Sequence, residues 1–470
     1  MPRMTTAPAL AALLIGLSAA STLAPVKAAT PQVSAERHEQ ALDVLRTSVG
    51  FRTVKDGGQI AAYAGYLKSV LVAAGFAPED VVIEPVGTTA ILIARYRGSD
   101  AAKKPIVVNG HMDVVDAHPQ DWQRDPFTAV VESGYVFGRG ATDNKFDVSM
   151  VTVTLAHLKR SGWKPKRDIL LALTGDEETE MASTKVLAQK IKNAELVLNA
   201  DGGGGILSED GKPIVYGIQA AEKVYADFTL TVTDEGGHSS APGKTNAINE
   251  LGQALERIAR YEFPALQNPI TRAFFQATAA TAARPIGEAM KQFVADPTDA
   301  KAIATLSAER EYIGLVRTTC VATQIEGGHA PNALPQRATA NINCRIFPGT
   351  PVASVQQTLA TVIGNDRVQI ARVDDGSVES DASPLRPDVI AAVTKAVRAT
   401  HGDVPIVPSM QAGATDSMHF RALGIPSYGV SGLFMKPSDD LSHGLNERVP
   451  VAAIDQALIH WETVLEALAR

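Results

Sequence analysis

The chain has 470 residues, 45% hydrophobic, 20% charged and 5% aromatic, and its 44 Lys+Arg against 51 Asp+Glu give a net charge of −7. This is ordinary globular composition with room for two or three cores at about 150 residues each; it excludes disordered, collagenous and coiled-coil chains, and without a long basic run it excludes a non-specific grip on nucleic acid. Two cysteines exclude a disulfide-dense scaffold and a thiolate-only zinc site, so any metal must be held by histidine and carboxylate.

In chain order, Arg3 supplies a positive start, residues 9–20 an apolar run and residues 26–28 (VKA) small residues at cleavage positions. Together these predict a signal peptide over 1–28, cut after Ala28. The run is shorter than the roughly 20 apolar residues needed to span a bilayer, so an exported periplasmic or extracellular protein without membrane insertion is expected. Leu42, Leu45 and Val49 recur at helical spacing, and residues 60–76 continue as a second amphipathic helix. Short apolar runs at 81–85, 90–96, 106–109, 169–174 and 196–200 predict buried strands, separated by helical patterns notably at 148–159 and 182–192. A longer alternating strand follows at 223–234, then a helix at 246–261, a mainly helical Ala-rich stretch at 264–310, and strands at 316–325 and 337–346. Beyond Pro348 the α/β alternation resumes through 352–363, 368–373, a helix at 387–400, 420–430 and a closing helix at 451–469. The economical division is an α/β domain over 29–221 and 349–470, interrupted by an inserted α+β domain over 222–348.

Ligand-type side chains follow the predicted strands. Residues 106–109 run into Gly110-His111-Met112-Asp113, 169–174 into Gly175-Asp176-Glu177-Glu178, and 196–200 into Asp201-Gly202-Gly203. In an open α/β sheet the carboxyl ends of the strands are where ligands sit. Two loops before helices add Asp143 (GRGATDNK, 138–145) and His443 (SHGLNE, 442–447). Imidazole and carboxylate without thiolate suit borderline divalent ions, and a bridging carboxylate would hold a pair about 3.5–4 Å apart. The Glu177-Glu178 doublet offers one carboxylate for metal and one as general base, and Asp113 is placed to hydrogen-bond the other ring nitrogen of His111.

The sequence resembles the co-catalytic zinc metallopeptidase family that includes carboxypeptidase S, glutamate carboxypeptidase, succinyl-diaminopimelate desuccinylase and aminoacylase, particularly its carboxypeptidase S and N-acyl-amino-acid amidohydrolase branch. The resemblance is carried by NGHMDVV (109–115), DWQRDPF (121–127), FGRGATDNK (137–145), GDEE (175–178), NADGG (199–203), GGHSSAP (236–242), APNALP (330–335), NCRIFPG (343–349), GATDSMHF (413–420) and SHGLNE (442–447). It implies two divalent ions per subunit, Zn²⁺ with Co²⁺ or Mn²⁺ as alternatives: one held by His111 and Asp201, the other by Glu178 and His443, with Asp143 bridging. It further implies Glu177 as the base acting on the bridging water, Asp113 as the partner of His111, and the inserted domain as a lid and homodimer interface, enlarged by 264–310. His238 would stabilise the oxyanion, commonly in the partner subunit's site, while Asn332 and Arg345 would contact substrate. The expected reaction is hydrolysis of the amide bond of a small peptide or N-acyl amino acid beside a free carboxylate. An aminopeptidase or dipeptidase reading the free amine, or a silent peptide-binding protein, is the alternative. Finally, Cys320 and Cys344 each lie 12 residues from Asn332; if the flanking strands pair, the two face one another, and a disulfide is expected in an oxidising compartment.

Overall fold

The computed structural model describes residues 32–470 except Asp375. The expected signal peptide over 1–28 lies outside the described residues. The main sheet has ten strands in the order Val81–Val86, Thr89–Tyr96, Ile169–Thr174, Ile106–His111, Leu196–Asn199, Ser427–Gly429, Pro213–Glu222, Gly204–Leu207, Phe434–Met435, with Ile406–Gln411 pairing parallel with Pro213–Glu222. The four strands from Ile169–Thr174 to Ser427–Gly429 are mutually parallel.

Their apolar runs are explained by burial on both faces. Ile106 and Val108 enter a core built with helices Ala35–Val49, Ile60–Ala73, Lys145–Arg160, Pro387–His401 and Ala453–Leu468. Val107, between them, points to the opposite face with Leu187, Ala188 and Phe420, from helices Ala182–Lys190 and Ser417–Ala422. The predicted α/β layering is therefore present. Four strands without a sequence assignment complete it, the short Gly204–Leu207 and Phe434–Met435 and two longer ones: Gly217 interrupts the apolar run of Pro213–Glu222, and Pro408 disguises Ile406–Gln411, which lies at a sheet edge where proline is tolerated.

A second, antiparallel sheet is ordered Thr319–Gly327, Arg337–Ile346, Val224–Thr233, Gln369–Arg372. Residues of Val224–Thr233 alternate between buried and half-buried, and one face packs on helices Ala247–Arg260 and Val352–Ile363. This unit thus draws its last helix and strand from beyond Pro348. The strand expected from Val316 starts at Thr319, because Arg310–Val316 is helical. Cys320 and Cys344 are opposed in the ladder and joined by a disulfide. The stretch 264–310, expected to enlarge the lid, lies elsewhere: helix Pro269–Thr278 packs against Ile406–Gln411, with Ile270 in the main core. No helix among the described residues is long and apolar enough to cross a membrane.

Candidate metal centre and active site

Three parallel strands bring their carboxyl ends to one rim. His111 closes Ile106–His111, Glu177 and Glu178 follow Ile169–Thr174, and Asp201 follows Leu196–Asn199. Asp143 precedes helix Lys145–Arg160, and His443 stands on a loop with φ of 61°. His111 Nε2 lies 2.9 Å from Asp143 Oδ1 and 4.0 Å from Asp201 Oδ2. His443 Nε2 lies 2.8 Å from Glu178 Oε1 and 3.1 Å from Asp143 Oδ2. Ligand atoms of His111, Glu177 and Asp201 fall within 4.8 Å of one another, as do those of His111, Asp143 and Glu178.

This donor set fits metal. His111 Nδ1 is 3.1 Å from the backbone carbonyl of Asp113. Donation there leaves Nε2 with its lone pair toward the carboxylates, a convergence of acceptors that a cation satisfies. Imidazole and carboxylate oxygen suit Zn²⁺, Co²⁺ or Mn²⁺ better than softer ions. Without a cation the groups perturb one another. Burial and Asp201 push Glu177 well above the usual carboxylate range. Burial and Asp143 do the same to Asp201. On His111 burial acts downward, but Asp113 and Asp143 outweigh it and hold the ring well above its ordinary value. Asp143 and Glu178 carry His443 up to about 10, while burial of Asp143 is outweighed by the two histidines, which hold it low.

Asp113 does something different from the expectation. Its carboxylate is 3.6 Å from His111 Nδ1, whereas its backbone oxygen takes the hydrogen bond. The two carboxylate oxygens instead accept from the backbone N–H of Glu177 at 3.1 Å and of Glu178 at 2.9 Å. Asp113 therefore fixes the acidic doublet as well as neighbouring the histidine.

The other three predicted residues stand apart from this cluster. His238 and Ala333 pair in a short ribbon, and the Asn332 carbonyl accepts from Ser239 N at 3.1 Å, so His238 and Asn332 are neighbours. Both are exposed, and His238 Nδ1 hydrogen-bonds Ser240 of its own loop. Arg345, on Arg337–Ile346, lies over the Tyr225 ring and donates to the Ala412 carbonyl at 3.0 Å.

Two further carboxylates support the site without having been singled out. Glu447, fully buried, accepts from Arg139 Nη1 at 2.7 Å and from the backbone N–H of Gly140, Thr142 and Asp143 at 2.8–3.0 Å, tying down the loop that presents Asp143. Asp416 accepts from Thr174 Oγ1 at 2.6 Å and Asn109 Nδ2 at 3.2 Å beneath the rim, and burial raises it to about 6. Their signal was position: Glu447 closes the motif that opens with His443, and Asp416 lies within GATDSMHF.

The pattern of Peptidase family M20/M25/M40 matches residues 107–467. N-fatty-acyl-amino acid synthase/hydrolase PM20D1 of Mus musculus is 30% identical over 385 residues, 77% of this chain and 74% of its own. Probable carboxypeptidase S-like 2 of Dictyostelium discoideum is 26% identical over 375 residues, 77% of this chain and 71% of its own. Among solved structures, the M20 family metallo-carboxypeptidase Sso-CP2 from Sulfolobus solfataricus is similar in fold, with a TM-score of 0.70 at 20% identity over 92% of this chain and 99% of that one.

Proposed function

The chain belongs to peptidase family M20/M25/M40, and from that premise we propose that it is an exported hydrolase of the amide bond in small peptides or N-acyl amino acids, next to a free carboxylate. The observation that carries this reading is the convergence of His111, Asp143, Glu178, Asp201 and His443 at one rim, with the nearly buried Glu177 among them. Two divalent ions, Zn²⁺ foremost, would be held by His111 and Asp201 and by Glu178 and His443, with Asp143 shared; when bound they polarise the amide carbonyl and acidify water. Glu177 accepts the proton of the attacking water and returns it to the departing amine. Asp113 holds Glu177 in place through its backbone N–H.

His238 donates to the developing oxyanion, Arg345 forks the substrate carboxylate, and Asn332, the neighbour of His238, contacts substrate. His238 is exposed on a ribbon outside the metal rim, and, as the family resemblance implies, the reading has it serve the site of a partner subunit. The open edge strand Thr319–Gly327, with Val321 56% and Ile325 63% exposed, supports a homodimer through this sheet. We place the inserted lid between the end of Pro213–Glu222 and Gln369–Arg372, less the helices over 264–316.

The test is Glu177→Ala in metal-loaded protein, assayed on N-acyl amino acids, their carboxyl-blocked forms and amino-blocked dipeptides. Turnover should fall by at least about 10²-fold with metal content still near two ions per chain. Wild-type cleavage should vanish when the carboxylate is blocked. Near-normal activity in the variant, or a strict need for a free amine, would overturn the reading.

A further inference from the structure

A cavity of about 530 Å³ opens from the candidate metal centre, lined at one end by Asp143, Asp201 and Ser442. Away from these, its apolar walls are Ile206, Val215, Phe274, Val407, Leu433 and Met435, and polar Ser409, Gln411 and Lys436 also line it. The register explains the apolar part. Met435, Ile206 and Val215 form one cross-strand row on a single face of the main sheet, and Gly204, Gly217 and Val407 form the next. Phe274, half-buried on helix Pro269–Thr278, lines it from above the sheet.

The second row is a trench because two of its members lack side chains. Gly204 has φ of +97° and a Cβ there would lie 3.0 Å from the Leu433 carbonyl, so its backbone accounts for it. Gly217 is different. It lies mid-strand without a positive φ, and a Cβ there would meet nothing nearer than Ser409 Oγ at 3.5 Å. A glycine weakens a strand interior, and here neither conformation nor close packing requires one. What its missing side chain provides is space beside Val407 and Val215.

We propose that this trench binds an extended apolar acyl chain of an N-acyl amino acid, and that Gly217 and Phe274 set the chain length accepted. The proposal rests on the amide-hydrolase reading above and narrows its substrate class. The scissile amide lies at the Asp143 and Asp201 end, and the acyl chain crosses the glycine row beneath Phe274.

The experiment compares N-acetyl-, N-hexanoyl- and N-dodecanoyl-leucine on metal-loaded wild type, Gly217→Leu and Phe274→Ala, with metal content and Tm measured alongside. In wild type kcat/KM should rise with chain length. Gly217→Leu should lower it at least about 10-fold for the dodecanoyl substrate while leaving the acetyl substrate within about twofold. Phe274→Ala, at a half-buried position, should also erode the long-chain advantage, and it decides the matter if Gly217→Leu does not fold. Turnover without length preference, or equal losses on short and long substrates, overturns the acyl trench alone. Absence of wild-type turnover on every N-acyl amino acid overturns the amide-hydrolase reading and the trench with it.

Discussion

The main sheet and the small antiparallel unit present their candidate functional residues under opposite physical conditions. On the main sheet the candidate ligands His111, Glu178 and Asp201 follow parallel strands whose two faces are buried, Asp143 and His443 stand on loops, and carboxylates pin two of the segments involved: Asp113 holds Glu177 and Glu178, and Glu447 holds Asp143. Outside the small antiparallel sheet, His238 and Asn332 are exposed on or beside a separate two-stranded ribbon. A metal site must be positioned before its ion arrives, and buried strand ends do that. Groups that meet substrate only during reaction can reside on a surface completed by closure or by a second chain.

The largest effect that would sharpen this contrast is Glu447→Ala. It strands Arg139, 3% exposed, beside the Asp143 loop. Denaturant unfolding should show a loss of about 3–5 kcal/mol, and metal titration an affinity lower by about 10–100-fold. Wild-type metal binding would show that the loop needs no pin. Next, His238→Ala should cut kcat by about 10²–10³-fold with metal content and Tm unchanged; a fall in metal content instead would break the division of labour between the sheets. Replacing both Cys320 and Cys344 by serine should destabilise the small sheet by about 2–4 kcal/mol, seen in unfolding with and without reductant, and leave metal content untouched.

The smallest effect concerns the joint between the sheets. Lys223 follows Pro213–Glu222, donates to the Gly314 carbonyl at 2.9 Å, and is pulled down to about 7 by burial, with Arg345 adding to the shift. Below pH 7 folded and unfolded chains both hold its proton and the burial penalty is constant; above pH 7 only the unfolded chain holds it, so the penalty fades as pH rises. Lys223→Met should therefore gain on wild type most at or below pH 7, its advantage shrinking by about 1 kcal/mol between pH 7 and 8. A pH-independent difference would show that Lys223 is charged throughout.

Legibility in the sequence followed the locality of each signal. Strand runs such as 106–109, followed at once by His111 and Asp113, carry both secondary structure and chemistry within eight residues, so the rim was visible. Pro213–Glu222 and Ile406–Gln411 were missed because Gly217 and Pro408 break their patterns, and those breaks matter through partners far away in the chain. Glu447 closes the SHGLNE motif, but nothing near it in the chain reveals its task, since its four hydrogen-bond donors lie about 300 residues earlier.

By itself, the sequence determined the kind of chemistry: two cysteines, ligand-type residues at strand ends and the order of ten motifs restrict any metal to imidazole and carboxylate. Tertiary structure alone decided which oxygen of Asp113 meets His111, that Asp113 also orients Glu177 and Glu178, and that helix Pro269–Thr278 roofs a cavity on the main sheet. The reason is distance. A residue's type is written at its own position, but its hydrogen-bond partner and the space around it are set by segments that folding brings together.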